Sequence, residues 1–183
     1  MIYFLRHGLD DESYIGGWSN VSLTKEGILE VKNVASRLKD FPIKKIISSD
    51  VLRARETSEI VSTILDVPVT YTDRLRELNK GILNGMDKEE AKEKYNEYLS
   101  TKDITKIFPE GESLLDLYNR IKIYLEEILK EDDTLFITHR GVINMIYFIL
   151  NDIPLDYNKK RFGVTHASLH ELDKEKMKIK KLF

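Results

Sequence analysis

Ile2 to Leu5 form an unbroken apolar run that gives way at once to Arg6, His7 and Gly8. Apolar residues without polar alternation mark a strand buried on both faces, the kind found inside a parallel sheet. Ligands of such sheets bind just beyond the carboxyl ends of the strands, which is where the polarity changes here. A neutral histidine at that position is a nucleophile, and an arginine beside it offers a planar fork to phosphate or carboxylate. Thr134 to Thr138 (TLFIT) repeats the pattern near the other end of the chain and delivers His139, Arg140 and Gly141. A helix follows at once, from Val142 to Leu150, with Ile143, Ile146, Tyr147 and Leu150 inward, and its N-terminal amides suit an anion.

Between these two strands the pattern alternates strand and helix. Thr24 is an N-cap for a helix with Ile28, Val31, Ala35 and Leu38 inward. Residues 44–48 read as a strand, followed by a helix from Ser49 or Asp50 with Leu52, Ile60, Ile64 and Leu65 inward. Arg53 falls in its first turn, where the helix dipole disfavours a cation unless it serves an anion or lies in solvent. Residues 67–72 read as a third strand. Leu114, Leu117, Tyr118, Ile121, Leu125 and Ile128 mark a long amphipathic helix, and the segments around 166–172 and 177–183 a C-terminal hairpin. Three irregular stretches remain: the loop after Gly8, the loop carrying Glu77, and a segment interrupted at Pro109 and Gly111. The last two, with a charged helix from Asp87 to about Ser100, predict a lid at about 78–112 on a single 183-residue domain.

Two strand-end histidines, two arginines and a loop glutamate suit phosphoryl transfer. His7 would attack phosphorus, Arg6, Arg53 and His139 would hold the nonbridging oxygens, and Glu77 would protonate the leaving alkoxide. That last step needs a raised Glu77 pKa, from partial burial or from the substrate's own charge. His7 and His139 with Asp10, Asp11 and Glu12 form an alternative metal set, but no His-x-x-x-His spacing supports it, so neither metal nor cofactor is expected. The absence of cysteine removes thiolate chemistry and disulfides. Cysteine absence and the lack of an apparent leader fit a cytoplasmic protein. A net charge of -2 argues against nonspecific nucleic-acid binding, and no apolar stretch has the length of a membrane span. The expected partner is a small phosphorylated substrate; the oligomeric state is not legible.

The segments LRHG, SSDVLRARETSEI, LRELNKGILNG, PEGES and THRG, in this order, resemble the histidine phosphatase, or phosphoglycerate mutase-like, superfamily. The resemblance implies a three-layer α/β/α sandwich with a mainly parallel sheet. It also implies a phosphorylated His7, phosphate-binding Arg6 and Arg53, a proton-donating Glu77 and His139 as second histidine. Gly8, Ser13 and Arg140 join the expected substrate-binding set, although Arg140 stands where many relatives have glycine and reads somewhat more readily as a surface residue. Asp10 and Ser13 replace the threonine or serine and the asparagine usual in the family; an ionised Asp10 either points away from the pocket or makes it less hospitable to anions. His166 falls where relatives often have a residue near the pocket, but it reads more readily as a strand-face histidine, and His170 more so. The compact length and YIGGWSNVSLT are most similar to small phosphatases such as α-ribazole phosphatase. The alternative, a cofactor-dependent phosphoglycerate mutase, is disfavoured because residues 82–109 contain no arginine and Lys80 stands at the family's tyrosine position.

Overall fold

The structure, a computed structural model, describes residues 1–183. Six strands form one sheet: β1 (Ile2–Arg6), β2 (Lys45–Ser49), β3 (Val69–Thr72), β4 (Thr134–Thr138), β5 (Leu169–Asp173) and β6 (Lys178–Lys181), in the order β3-β2-β4-β1-β5-β6. The first four run parallel, whereas β5 lies antiparallel to β1 and pairs with β6 as the expected hairpin. Helices α1 (Lys25–Leu38), α2 (Leu52–Leu65), α3 (Lys88–Leu99), α4 (Leu114–Ile128) and α5 (Arg140–Leu150) complete the fold.

β1 and β4 are buried along their whole length, as unbroken apolar strands require. Alternate side chains feed two cores. Tyr3, Leu5, Leu135, Ile137 and Leu169 meet α1 and α2 through Val31, Ala35, Ala54 and Val61, while Ile2, Phe4 and Phe136 meet α4 and α5 through Leu117, Ile121, Val142 and Ile146. These are the outer layers of a three-layer sandwich. Phe4 and Phe136 stack across the paired strands at 5.3 Å, each contributing about 1.5–3 kcal/mol by burial.

The helix ends follow local chemistry. The Thr24 hydroxyl accepts the Gly27 N–H at the start of α1, and Ser113 with Asp116 forms a reciprocal capping box for α4. Asp87 caps α3, which fully buries only Ala91 and half-buries Tyr95, Tyr98 and Leu99 against the core. α2 departs from expectation. It starts at Leu52 behind Val51 with no side-chain cap, and its buried face is Arg53, Ala54, Thr57, Ser58 and Val61, with Leu52, Ile60, Ile64 and Leu65 only half-buried. The inner face of this helix serves α1 at one end and the polar end of the sheet at the other, so small and hydrogen-bonding side chains displace large apolar ones. α5 begins at Arg140, two residues ahead of the expected start, and Leu150 is half-buried at its frayed end. No helix is long and apolar enough to cross a membrane.

Candidate active site

Parallel register sets Arg6 opposite Thr138, and the His7 N–H donates to the Thr138 carbonyl at 3.0 Å. The two strand-end histidines therefore lie side by side, with ring centres 5.1 Å apart. The Gly8 carbonyl sits 2.8 Å from His7 Nδ1. Because a carbonyl only accepts, Nδ1 carries the proton and Nε2 keeps its lone pair. Arg53 Nε–H donates to that lone pair at 3.2 Å. Burial, then the charges of Arg53 and Arg6 and the neighbouring His139, hold the His7 pKa well below its ordinary value. His7 is thus a neutral imidazole with Nε2 directed into a cavity of about 610 Å³.

Gly8 has both its backbone N–H and its carbonyl engaged within the protein. Its N–H donates to Thr57 Oγ1 at 3.1 Å and its carbonyl serves His7, while a Cβ there would lie 2.5 Å from Val31 Cγ2 and 2.9 Å from the Gly27 carbonyl. The glycine lets α1 close on the loop and so fixes the His7 tautomer.

Arg53, only 2% exposed, binds several segments together. Nη2 donates to the Gly17 carbonyl at 2.8 Å and to His139 Nδ1 at 3.1 Å, and Nη1 to Ser19 Oγ at 3.2 Å. Since a guanidinium only donates, neutral His139 is protonated on Nε2, which faces Ser49 Oγ at 2.9 Å. His139 is fully buried behind Arg53 and off the cavity wall, with both ring nitrogens engaged, by Arg53 and by Ser49. Arg6 donates to the Val164 carbonyl at 3.2 Å and meets His166 Nε2 at 2.5 Å; its buried Nε–H has no partner. Desolvation, with the nearby Arg140, pulls its pKa down to about 10, leaving it charged at neutral pH.

Glu77 is placed by backbone. Its Oε2 accepts the Gly141 N–H at 3.0 Å and its Oε1 the Leu78 N–H at 2.9 Å. A Cβ on Gly141 would stand 1.9 Å from Glu77 Oε1, so only glycine admits the carboxylate to the N-terminus of α5. That helix end does hold an anion, but the anion is Glu77. Trp18 Nε1–H and Arg120 Nη2–H also donate to the Glu77 carbonyl, at 2.7 and 3.3 Å. Burial pushes the Glu77 pKa up, but the Gly141 and Leu78 donors with Arg53 and Lys80 outweigh it, and the net shift is downward. Partial burial thus does not by itself raise the Glu77 pKa, contrary to the first of the two expected sources of a shift.

Two expected positions move. Ser13 is exposed and lies off the cavity wall, where its N–H accompanies the Asp11 carboxylate in a turn. Arg140 is half-buried and lines the cavity, against the surface reading. His166 lies at the site, with its ring 5.6 Å from that of His7. It precedes β5, and because β5 runs antiparallel to β1 the turn before β5 returns to the carboxyl end of β1. Arg6 N–H donates to the Ser168 carbonyl and Ala167 N–H to the His7 carbonyl. His170, within β5, is a core residue held by Tyr147 and Ser168. Asp10 turns inward beside Arg53 and His166.

His7, Asp10 and His166 place donor atoms within 4.8 Å of one another, a spacing open to a cation. Arg6 and Arg53 on the same donors oppose that use electrostatically and suit an anion.

His7, His139 and His170 all have depressed pKa values in the folded state; His170 falls to about 4 through burial and Lys181. In the unfolded chain each titrates near 6.5. Below that pH the unfolded state binds protons the folded state refuses, so stability present at pH 7 is expected to fall between about 6.5 and 4.5, with a slope reaching about 4 kcal/mol per pH unit. Urea unfolding at pH 7.5, 6.5, 5.5 and 5 checks this; a flat profile would contradict the three neutral histidines.

A family model described as histidine phosphatase superfamily (branch 1) matches residues 2–182. A curated Escherichia coli (O1:K1 / APEC) protein named probable phosphoglycerate mutase GpmB is 29% identical over 181 residues, spanning 94% of this chain and 84% of its own. A solved mycobacterial glucosyl-3-phosphoglycerate phosphatase with bound VO3 superimposes with a TM-score of 0.80 at 24% identity, covering 94% of this chain and 92% of that one. A protein of Escherichia coli K-12 proposed to be an alpha-ribazole-5'-P phosphatase gives a TM-score of 0.83 at 18% identity, over 98% and 93% of the two chains.

Proposed function

From the premise that the chain belongs to the histidine phosphatase superfamily, we propose that it is a phosphomonoester hydrolase working through a phosphohistidine. The observation that carries this is the neutral His7, its Nε2 lone pair flanked by Arg6 and Arg53 at the end of a cavity that Glu77 also lines. Nε2 attacks phosphorus as the bond to the leaving oxygen breaks, and Glu77 gives that oxygen its proton. Arg53 Nε–H, losing its acceptor as the N–P bond forms, turns to a phosphoryl oxygen, and the unpartnered Arg6 Nε–H is a donor left over for another. The Nδ1–H keeps donating to the Gly8 carbonyl throughout, which stabilises the cationic phosphorylated ring. Water then attacks phosphorus, its proton passes to Glu77, the N–P bond breaks, and phosphate leaves.

The wall beyond Glu77 supports a leaving group of some size. Phe108, Leu114, Met145, Phe148 and Tyr157 supply apolar surface, and Lys80, Lys88, Arg140 and Lys159 form no ion pairs around it. Lys80 is pushed down to about 8 by burial and by Lys159. Glu12 and Asp156 share the rim, but Asp156 is engaged by Arg161. The segment 78–112 closes over this wall; Phe108 and Leu78 line the cavity, and we read the segment as a lid.

A panel of phosphomonoesters assayed for released phosphate, with and without bisphosphoglycerate and with and without chelator, tests the proposal. Phosphate release without the bisphosphate, indifferent to chelator, is expected, and esters with an apolar body and a carboxylate should exceed their uncharged counterparts about tenfold in kcat/KM. Turnover seen only with bisphosphoglycerate would make the protein a mutase instead.

A further inference from the structure

Asp10 brings a negative charge into the place prepared for phosphate. Its carboxylate is 13% exposed, with Oδ2 3.5 Å from Arg53 Nε and Oδ1 3.6 Å from His166 Nε2. The same Arg53 N–H is the one that touches the His7 lone pair, and the carboxylate lies within 4.8 Å of a His7 ring nitrogen. The backbone holds it there. Asp10 bridges to Leu23, and the neighbouring Leu9 carbonyl accepts both the N–H and the hydroxyl of Thr24, the N-cap of α1. Burial pushes its pKa up, yet His166 and Arg53 bring it below the ordinary carboxylate value, so it is ionised at neutral pH. A group bonded to His7 Nε2 would stand beside this same Arg53 N–H.

We propose that Asp10 is an internal competitor of the phosphoryl group for Arg53, weakening the pocket's hold on phosphate and shortening the life of the phosphohistidine. Unlike charges at such separations attract strongly in a partly buried site, and like charges repel to the same degree. The empty pocket is therefore already neutralised in part, and a phosphoryl dianion has to displace Asp10 or sit against it. That penalty falls on bound phosphate and on phosphoenzyme, and is relieved by product release. An enzyme that returns a phosphoryl group to a second substrate gains from a long-lived phosphoenzyme; this arrangement favours discharge to water. The part concerning phosphohistidine rests on the mechanism proposed above, whereas the affinity for phosphate does not.

Calorimetric titration of the full chain with inorganic phosphate separates the two. Asp10→Asn keeps the shape and removes the charge, and its Kd for phosphate is expected to fall at least tenfold; Asp10→Glu, which keeps the charge, should stay nearer the parent. Asp10→Thr provides a second neutral variant if Asp10→Asn unfolds. In rapid-quench measurements with nitrophenyl phosphate, both neutral variants should hold the phosphohistidine about tenfold longer. Phosphate binding by the neutral variants that is no tighter than the parent's overturns the competition. A parent that forms no phosphoenzyme at all defeats the mechanism, while the calorimetric comparison still decides the role of Asp10.

Discussion

His7→Ala is expected to abolish turnover of every phosphomonoester, by a factor on the order of 10⁴ or more, and to eliminate the acid-labile phosphoenzyme trapped on brief exposure to substrate. The replacement removes the only lone pair that Arg53 Nε–H meets in the cavity apart from the Asp10 carboxylate. Arg6, Arg53 and Glu77 keep their other hydrogen bonds, so the variant should still bind inorganic phosphate. Loss of a buried neutral histidine also removes one proton from the acid unfolding profile, which makes unfolding at pH 5.5 a check that the altered chain is folded. A His7→Ala protein that still forms the labile adduct would shift the nucleophile elsewhere, and the neutral His139 behind Arg53 is too deeply buried to take its place.

Glu77→Gln is expected to lose about a hundredfold to ten-thousandfold in phosphoenzyme formation from an alkyl phosphate, the usual range for general acid catalysis. An alkoxide needs a proton as its bond to phosphorus breaks, whereas nitrophenolate departs without one, so the loss with nitrophenyl phosphate should be much smaller. Both Glu77 oxygens accept backbone N–H groups, from Leu78 and Gly141, and a glutamine amide cannot satisfy both. Some misplacement follows, but it burdens the two esters alike, and their ratio isolates the proton. With the nitrophenyl ester the variant should give a burst of nitrophenol and then slow turnover over accumulated phosphohistidine, because the base for the second step is missing as well. Equal losses for both esters in single turnover would reduce Glu77 to an organiser of the lid and make Asp10 the candidate acid.

The apolar runs of β1 and β4 announced their burial because short runs of large apolar side chains without polar alternation have to be covered on both faces. Helical spacing was equally direct for α1 and α4, whose inner faces are mostly large apolar side chains packed on the sheet. α2 misled because its inner face also serves the site, and what is buried there is Arg53, Thr57 and Ser58; periodicity of apolar residues is blind to a buried guanidinium. The positions of His166 and Asp10 depended on long-range returns of the chain. His166 reaches the site only because β5 reverses direction, and Asp10 faces inward only because Leu9 and Asp10 pair with Leu23 and Thr24. The tautomers of His7 and His139, and the displacement of His139 from the cavity wall, follow from single hydrogen bonds that no residue pattern records.

The sheet order carries a further consequence, for how the chain is assembled in time. β1 lies between β4 and β5 and pairs with nothing else: Ile2 meets Thr134 on one side and Leu172 on the other. β2 and β3, with α1 and α2 against them, can come together from neighbouring segments, but the strand bearing the nucleophile waits for partners from the far end of the sequence, and closing so long a loop is entropically costly. A chain interrupted before Thr134 has no berth for β1, and one interrupted before Leu169 lacks the turn that brings His166 home. The reactive histidine is thus encoded near the beginning of the sequence and gains its surroundings only when the last hairpin closes.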